Sequence, residues 1–108
     1  MTTEKQIAYG ADLKAKAIGW MANTESAMLT KCAPIMAPAI KDGLAAIRAN
    51  SDALVWIERR GKLQLADWIA QEVGDRIATL MPQVAAKPGA REQLRTRLLG
   101  MIDLGGAR

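Results

Sequence analysis

Residues Leu63-Gln64-Leu65-Ala66-Asp67-Trp68-Ile69-Ala70-Gln71-Glu72-Val73-Gly74-Asp75-Arg76-Ile77-Ala78-Thr79-Leu80-Met81 decide the fold. Leu63, Ala66, Ile69, Ala70, Val73, Ile77 and Leu80 recur at spacings of three and four, the period of one face of an α-helix. Polar side chains fill the opposite side, where Glu72 and Arg76 stand as an i, i+4 ion pair. Pro82 stops the pattern, since proline lacks the amide donor that a helix interior needs.

The same residue chemistry continues outward in both directions. Upstream, Ser51 reads as the cap of a shorter helix over about Asp52 to Arg60. Arg59 and Arg60 fall in its last turn, where the helix dipole favours cations, and Gly61 reads as a left-handed terminator. A third helix starts near Pro38, which a first turn tolerates, and runs to Ala49. Ile40, Leu44 and Ile47 form its buried stripe, with Met36 extending it backwards. Before it lies a short helix over about Glu25 to Cys32, with Thr24 as cap. The first helix runs from about Thr3 to Ala22, with Thr3 and Gln6 at capping-box spacing. Its polar stripe is narrow (Lys5, Asp12, Lys16, Asn23). Ile7, Ala11, Leu13, Ala17, Ile18 and Met21 occupy the rest, which predicts neighbours on two sides. Gly10 and Gly19 each read as a close helix crossing. Downstream, residues 83–89 read as a loop. A last helix over about Ala90 to Ile102 rests on Leu94, Leu98, Met101 and Ile102.

Nowhere does a period-two alternation persist, and runs of β-branched or aromatic residues are missing. The chain has 108 residues, half of them hydrophobic and 24% charged. That is enough to bury one core without disulfide or metal staples. The expectation is an all-α, compact single-domain bundle of about five to six helices over residues 1–104, with a flexible tail at 105–108.

Composition also excludes chemistry. There is no histidine and one cysteine, Cys32. An intrachain disulfide, a four-ligand zinc site and a Ser-His-Asp or Cys-His device therefore cannot be assembled. Cys32 reads as a small apolar filler. Asp67, Glu72 and Asp75 fall on an exposed helix face, where nothing raises a carboxyl pKa for acid–base work. Gly100 is isolated and Gly105-Gly106 is terminal, so no glycine loop cradles a phosphate. The expectation is no enzyme, no cofactor and no metal. The opening Met1-Thr2-Thr3-Glu4-Lys5 lacks the apolar core of a signal peptide, and no window approaches a membrane span. A cytoplasmic location with no membrane partner is expected.

What remains is binding, and six residues are the candidates: Leu65, Trp68, Gln71, Glu72, Arg91 and Arg95. Leu65 and Trp68 point away from the apolar stripe of their helix, among Gln64, Gln71, Glu72 and Asp75. Either they form a partner-binding patch or another helix of the same domain covers them. Net charge is +4, and residues 87–108 carry five basic side chains against two acidic ones. Within that stretch Arg91 and Arg95 are one turn apart and share a face with each other. Together with Arg97 they suit phosphates or an acidic protein surface, or else form a solvated helix face. No aromatic residue interleaves with them as a single-strand stacking platform would require. The segment Ser51 to Gly74 has the outline of a helix-turn-helix. Its second helix, however, would offer Asp67, Glu72 and Asp75 to the phosphates, and that opposes DNA reading.

Two stretches carry a resemblance. Thr3-Glu4-Lys5-Gln6-Ile7-Ala8-Tyr9-Gly10 resembles the T-E-K-Q-I-x-Y-A opening of small phage and mobile-element proteins. Ser51-Asp52-Ala53-Leu54-Val55-Trp56-Ile57-Glu58-Arg59-Arg60 resembles the S-A-x-x-W-I-x-x-R helix that follows in the same proteins. Together they cover about 20 of the 108 residues. Gly10 departs from the pattern, which has Ala there, and the last 40 or so residues fall outside it. Some proteins of this kind are anti-CRISPR proteins of type I systems. The resemblance implies a phage or mobile-element accessory protein that acts by stoichiometric binding to a host protein such as a Cas subunit. A small nucleic-acid-associated regulator and a phage structural or assembly protein are the alternatives, as monomer or dimer. The motif residues Ile7, Tyr9, Trp56 and Ile57 also read structurally, as the large apolar side chains that clamp the first helix against the fourth.

Overall fold

The computed structural model describes residues 2–102 and Leu104; the expected tail at 105–108 lies outside the described residues. The described chain is all-α. Its helices are α1 (Glu4–Trp20), α2 (Thr24–Lys31), α3 (Ala37–Ala49), α4 (Ala53–Glu58), α5 (Lys62–Leu80), α6 (Pro82–Ala85) and α7 (Ala90–Met101). Single 3-10 turns over Met21–Asn23 and Pro34–Met36 lead into α2 and α3.

The helix ends follow local chemistry. Thr3 and Gln6 close the expected capping box: the Thr3 hydroxyl accepts from the Gln6 amide at 3.1 Å, and the Gln6 side chain accepts from the Thr3 amide at 2.9 Å. The cap of α4 is Asp52 and not Ser51. Its carboxylate accepts from the Leu54 amide at 3.0 Å, while Asn50 Oδ1 holds the Asp52 amide at 2.8 Å. Asn50 and Asp52 thus satisfy the donors that a serine one residue earlier would have met. Thr24 lies inside α2, because the 3-10 turn before it runs straight into the helix. Gly61 has φ 98° and ψ 153°, a glycine-only extended region, and not the left-handed helical one. Helix α4 has already ended at Glu58, with Arg59 as its C-cap, so Gly61 is not its terminator but the N-cap of α5. Pro82 does stop α5, but the expected loop after it contains the single turn α6, with proline in its first position.

The core is built around the α3–α5 pair. Ile40, Leu44 and Ile47 of α3 and Ile69 and Val73 of α5 are fully buried. The backbones approach closely because Gly43 has no side chain. A Cβ there would stand 2.8 Å from Val73 Cγ2 and 3.1 Å from Val73 Cα. Helix α7 closes the core with Leu98 and Ile102, while Leu94 and Met101 pack at its edge, as their spacing predicts. Cys32 fills the gap beside Met101, its Sγ 3.4 Å from the thioether sulfur.

Helix α1 departs most from expectation. It packs on α4 and on the turn that follows it, so neighbours cover one side and not two. Only Gly10 and Ala17 are buried along it. Ile7 is 55% and Tyr9 46% exposed, so neither is buried between α1 and α4. The closest approach of the two helices is Gly10 against Ala53, and the buried Trp56 lines the same hollow. Gly19 has open space around it and marks no crossing. Lys62 of α5 lies 5.4 Å over the Trp20 ring and ties the end of α1 to the start of α5. The molecule is accordingly elongated, 45 × 30 × 21 Å, with a radius of gyration of 14.5 Å against about 13 Å for a sphere-like chain of this length.

Burial pushes the Cys32 thiol above its ordinary pKa. A raised value means less thiolate at neutral pH, and the thiolate is the reactive form. Alkylation of Cys32 by iodoacetamide at pH 8 is therefore expected to run several-fold slower in the native protein than in urea. Equal rates would place the thiol in open solvent.

Candidate functional site

The six candidate residues separate into three environments. Leu65 and Trp68 are 1% and 5% exposed, so the covering reading holds and they are core residues. Trp68 stacks edge-on against Trp56 of α4, ring centres 4.9 Å apart, and the Arg59 guanidinium lies over the Trp68 ring, 5.0 Å from its centre. The buried arc of α5 keeps the expected Ile69, Ala70, Val73 and Ile77 but is wider than the predicted stripe. It runs from Trp68 through Leu65, Ile69 and Val73 to Ala70, an arc of roughly 200°. Leu63 is 81% exposed, and Leu80 also reaches solvent, because both lie at helix ends beyond the reach of α3.

Glu72 is the second environment. It is half-buried, and its carboxylate accepts from Arg76 at 2.6 Å, the expected i, i+4 pair within α5. It lies a quarter-turn or more around the helix from Gln71 and does not line the same groove.

Gln71, Arg91 and Arg95 form the third. They line one groove between α5 and α7 of about 190 Å³, with Asp75, Glu92 and Leu94. Arg95 pairs with Asp67 at 2.8 Å, and Arg91 pairs with Asp75. All four side chains are more than half exposed. Exposed pairs of this kind contribute about 0–1 kcal/mol each, so either can exchange its partner for an incoming charge at little cost. The same pairs lay α7 over the outer face of α5. The helix that a DNA-reading helix-turn-helix would insert into a groove is thus occupied on that face, and its Asp67 and Asp75 carboxylates are held against α7.

A larger recess was not legible as a site in the sequence. It measures about 350 Å³ and lies where the end of α5, the turn α6 and the start of α7 meet. Its floor is apolar, and its rim carries Lys87, Arg91 and Arg97. Reading 83–89 as a loop hid it, since the α6 turn forms one wall.

Among the described residues no three His, Cys, Asp or Glu side chains gather as a metal site, and no helix is long and apolar enough to cross a membrane. No buried side-chain nitrogen or oxygen among the described residues lacks a hydrogen-bond partner. The chain matches no family model, no curated protein and no solved structure.

Proposed function

We propose that this protein works by stoichiometric binding to another protein, in the cytoplasm of a bacterial host. The observation that carries this reading is the α5–α7 face. Three of the sequence candidates, Gln71, Arg91 and Arg95, converge there on an open groove whose charges are exposed and exchangeable. Such a face suits a macromolecular surface better than a small substrate, because it is shallow and its polar groups spread along two helices instead of converging on a point. The alternating Asp67, Arg95, Asp75 and Arg91 favour a protein with mixed charge over a polyphosphate backbone. The sharpest version rests on the resemblance of the Thr3–Gly10 and Ser51–Arg60 stretches: an inhibitor that docks on a Cas subunit of a type I CRISPR-Cas system and blocks it sterically.

The test is size-exclusion co-elution with purified type I Cas components, alongside protection of phage in a strain carrying that system. Co-elution that is lost in Arg91→Glu/Arg95→Glu supports the reading. The melting temperature of this variant is expected to move by only a few degrees, since the pairs it breaks are exposed. No co-elution and no protection overturns the Cas version. Salt-sensitive binding to duplex DNA with no protein partner overturns the broader one.

A further inference from the structure

We infer that the recess between α5, α6 and α7 is a docking site for an acidic, amphipathic peptide segment of a partner protein. The inference rests on the protein-binding reading and extends it to a second, adjoining surface. The recess is floored by Met36, Ile77, Met81 and Leu94, and its volume of about 350 Å³ holds one or two large apolar side chains. Met36 and Met81 are adaptable fillers that suit a pocket receiving a foreign side chain. Val84 stands half exposed at the mouth.

Charge decides the rest. Among the described residues no acidic side chain lines the recess, whereas Lys87, Arg91 and Arg97 stand on its rim. Arg91 is already paired with Asp75. Lys87 and Arg97 make no side-chain hydrogen bond or ion pair among the described residues.

The spacing of these cations selects the ligand class. A fatty acid or other single carboxylate is held by donors that converge on one point. Here Arg97 lies seven residues beyond Ala90, about 10 Å along the axis of α7, with Lys87 before the helix start. Cations strung along an apolar trough match carboxylates strung along a chain. The expected ligand is a segment that places leucine-like side chains in the recess and glutamate or aspartate side chains on Lys87 and Arg97.

Three probes test this by fluorescence anisotropy or calorimetry with the whole protein: a peptide of leucine and glutamate, the same peptide with lysine for each glutamate, and dodecanoate. The acidic peptide is expected to bind saturably and at least about tenfold more tightly than the lysine peptide, with an affinity that falls as salt rises. Lys87→Glu/Arg97→Glu is expected to weaken it about tenfold or more, and Val84→Asp to weaken it as well. All three positions lie on the surface, so each variant should melt near the wild-type temperature, which circular dichroism checks. The inference is overturned if the double variant binds the acidic peptide as wild type does, if the two peptides bind equally, or if dodecanoate binds and the acidic peptide does not. Wild-type protein that co-elutes with a Cas component but does not bind the acidic peptide sinks this inference alone. Peptide binding without co-elution sinks the Cas assignment alone.

Discussion

Replacing Trp68 with alanine is expected to cost about 3–5 kcal/mol of stability, the usual range for emptying a buried indole site. For a domain whose total stability is about 5–15 kcal/mol, that lowers the melting temperature by at least about 10 °C. The size of the effect follows from what the ring touches. It is 5% exposed, meets Trp56 edge-on at 4.9 Å and receives the Arg59 guanidinium at 5.0 Å. Trp56 cannot relax into the space, because its indole N–H donates to the Asn50 carbonyl at 2.8 Å and pins it. Trp68→Phe keeps an aromatic edge against Trp56 and should recover a substantial part of the loss. Leu63→Ala is the control on the same helix: at 81% exposure it should stay within about 0.5 kcal/mol of wild type. Thermal and urea melts followed by circular dichroism measure all three. A Trp68→Ala protein that melts like wild type but loses its partner would return Trp68 to the surface and refute the packing described here.

The contrast between Trp68 and Leu63 also explains what a single sequence discloses. Periodicity locates the helices because backbone geometry sets it, and α5 and the stripe of α3 were legible for that reason. It does not give the angular width of a buried face, because that depends on how many neighbours surround a helix. Helix α5 is flanked by α3, α7 and Trp56 of α4, so its buried arc reaches Trp68, and Leu63 at the uncovered end is left out. Helix α1 errs in the opposite direction. Its composition is apolar enough for two neighbours, yet it receives chiefly α4, and Ile7 and Tyr9 stay in solvent. The candidate surface was partly legible on the same grounds. Arg91 and Arg95 share a helical face by spacing alone, and Gln71 joins them only because α7 folds back on α5. The recess was not legible at all, since its walls come from Met36, the end of α5 and a four-residue turn that sequence reads as a loop.

Substituting alanine at Gly10 and at Gly19 is expected to move stability in opposite directions, although both lie in α1. Intrinsic propensity favours alanine over glycine inside a helix by about 1 kcal/mol at either position. At Gly19 nothing stands within 4 Å of the new Cβ, so Gly19→Ala should gain about 0.5–1 kcal/mol. At Gly10 the new Cβ would lie 2.6 Å from both Cα and Cβ of Ala53 and 3.0 Å from its carbonyl oxygen. Overpacking of this kind costs about 1–3 kcal/mol or more, which outweighs the propensity gain and leaves a net loss. The clash is with backbone, so Ala53→Gly should rescue it only in part, because the Ala53 Cα remains in the way. At Gly43 the nearest atom is the Val73 side chain at 2.8 Å, while the Val73 backbone at 3.1 Å must give by a few tenths of an ångström, so Val73→Ala should rescue Gly43→Ala more fully than Ala53→Gly rescues Gly10→Ala. The pattern that the first stretch resembles has alanine where this chain has Gly10. That one departure is what allows α1 to lie directly on the start of α4, and an alanine there must either lift α1 from Ala53 or slide it along α4. If Gly10→Ala melts higher than wild type, the two helices are farther apart than described, and the clamp between the two motif stretches is carried by side chains after all.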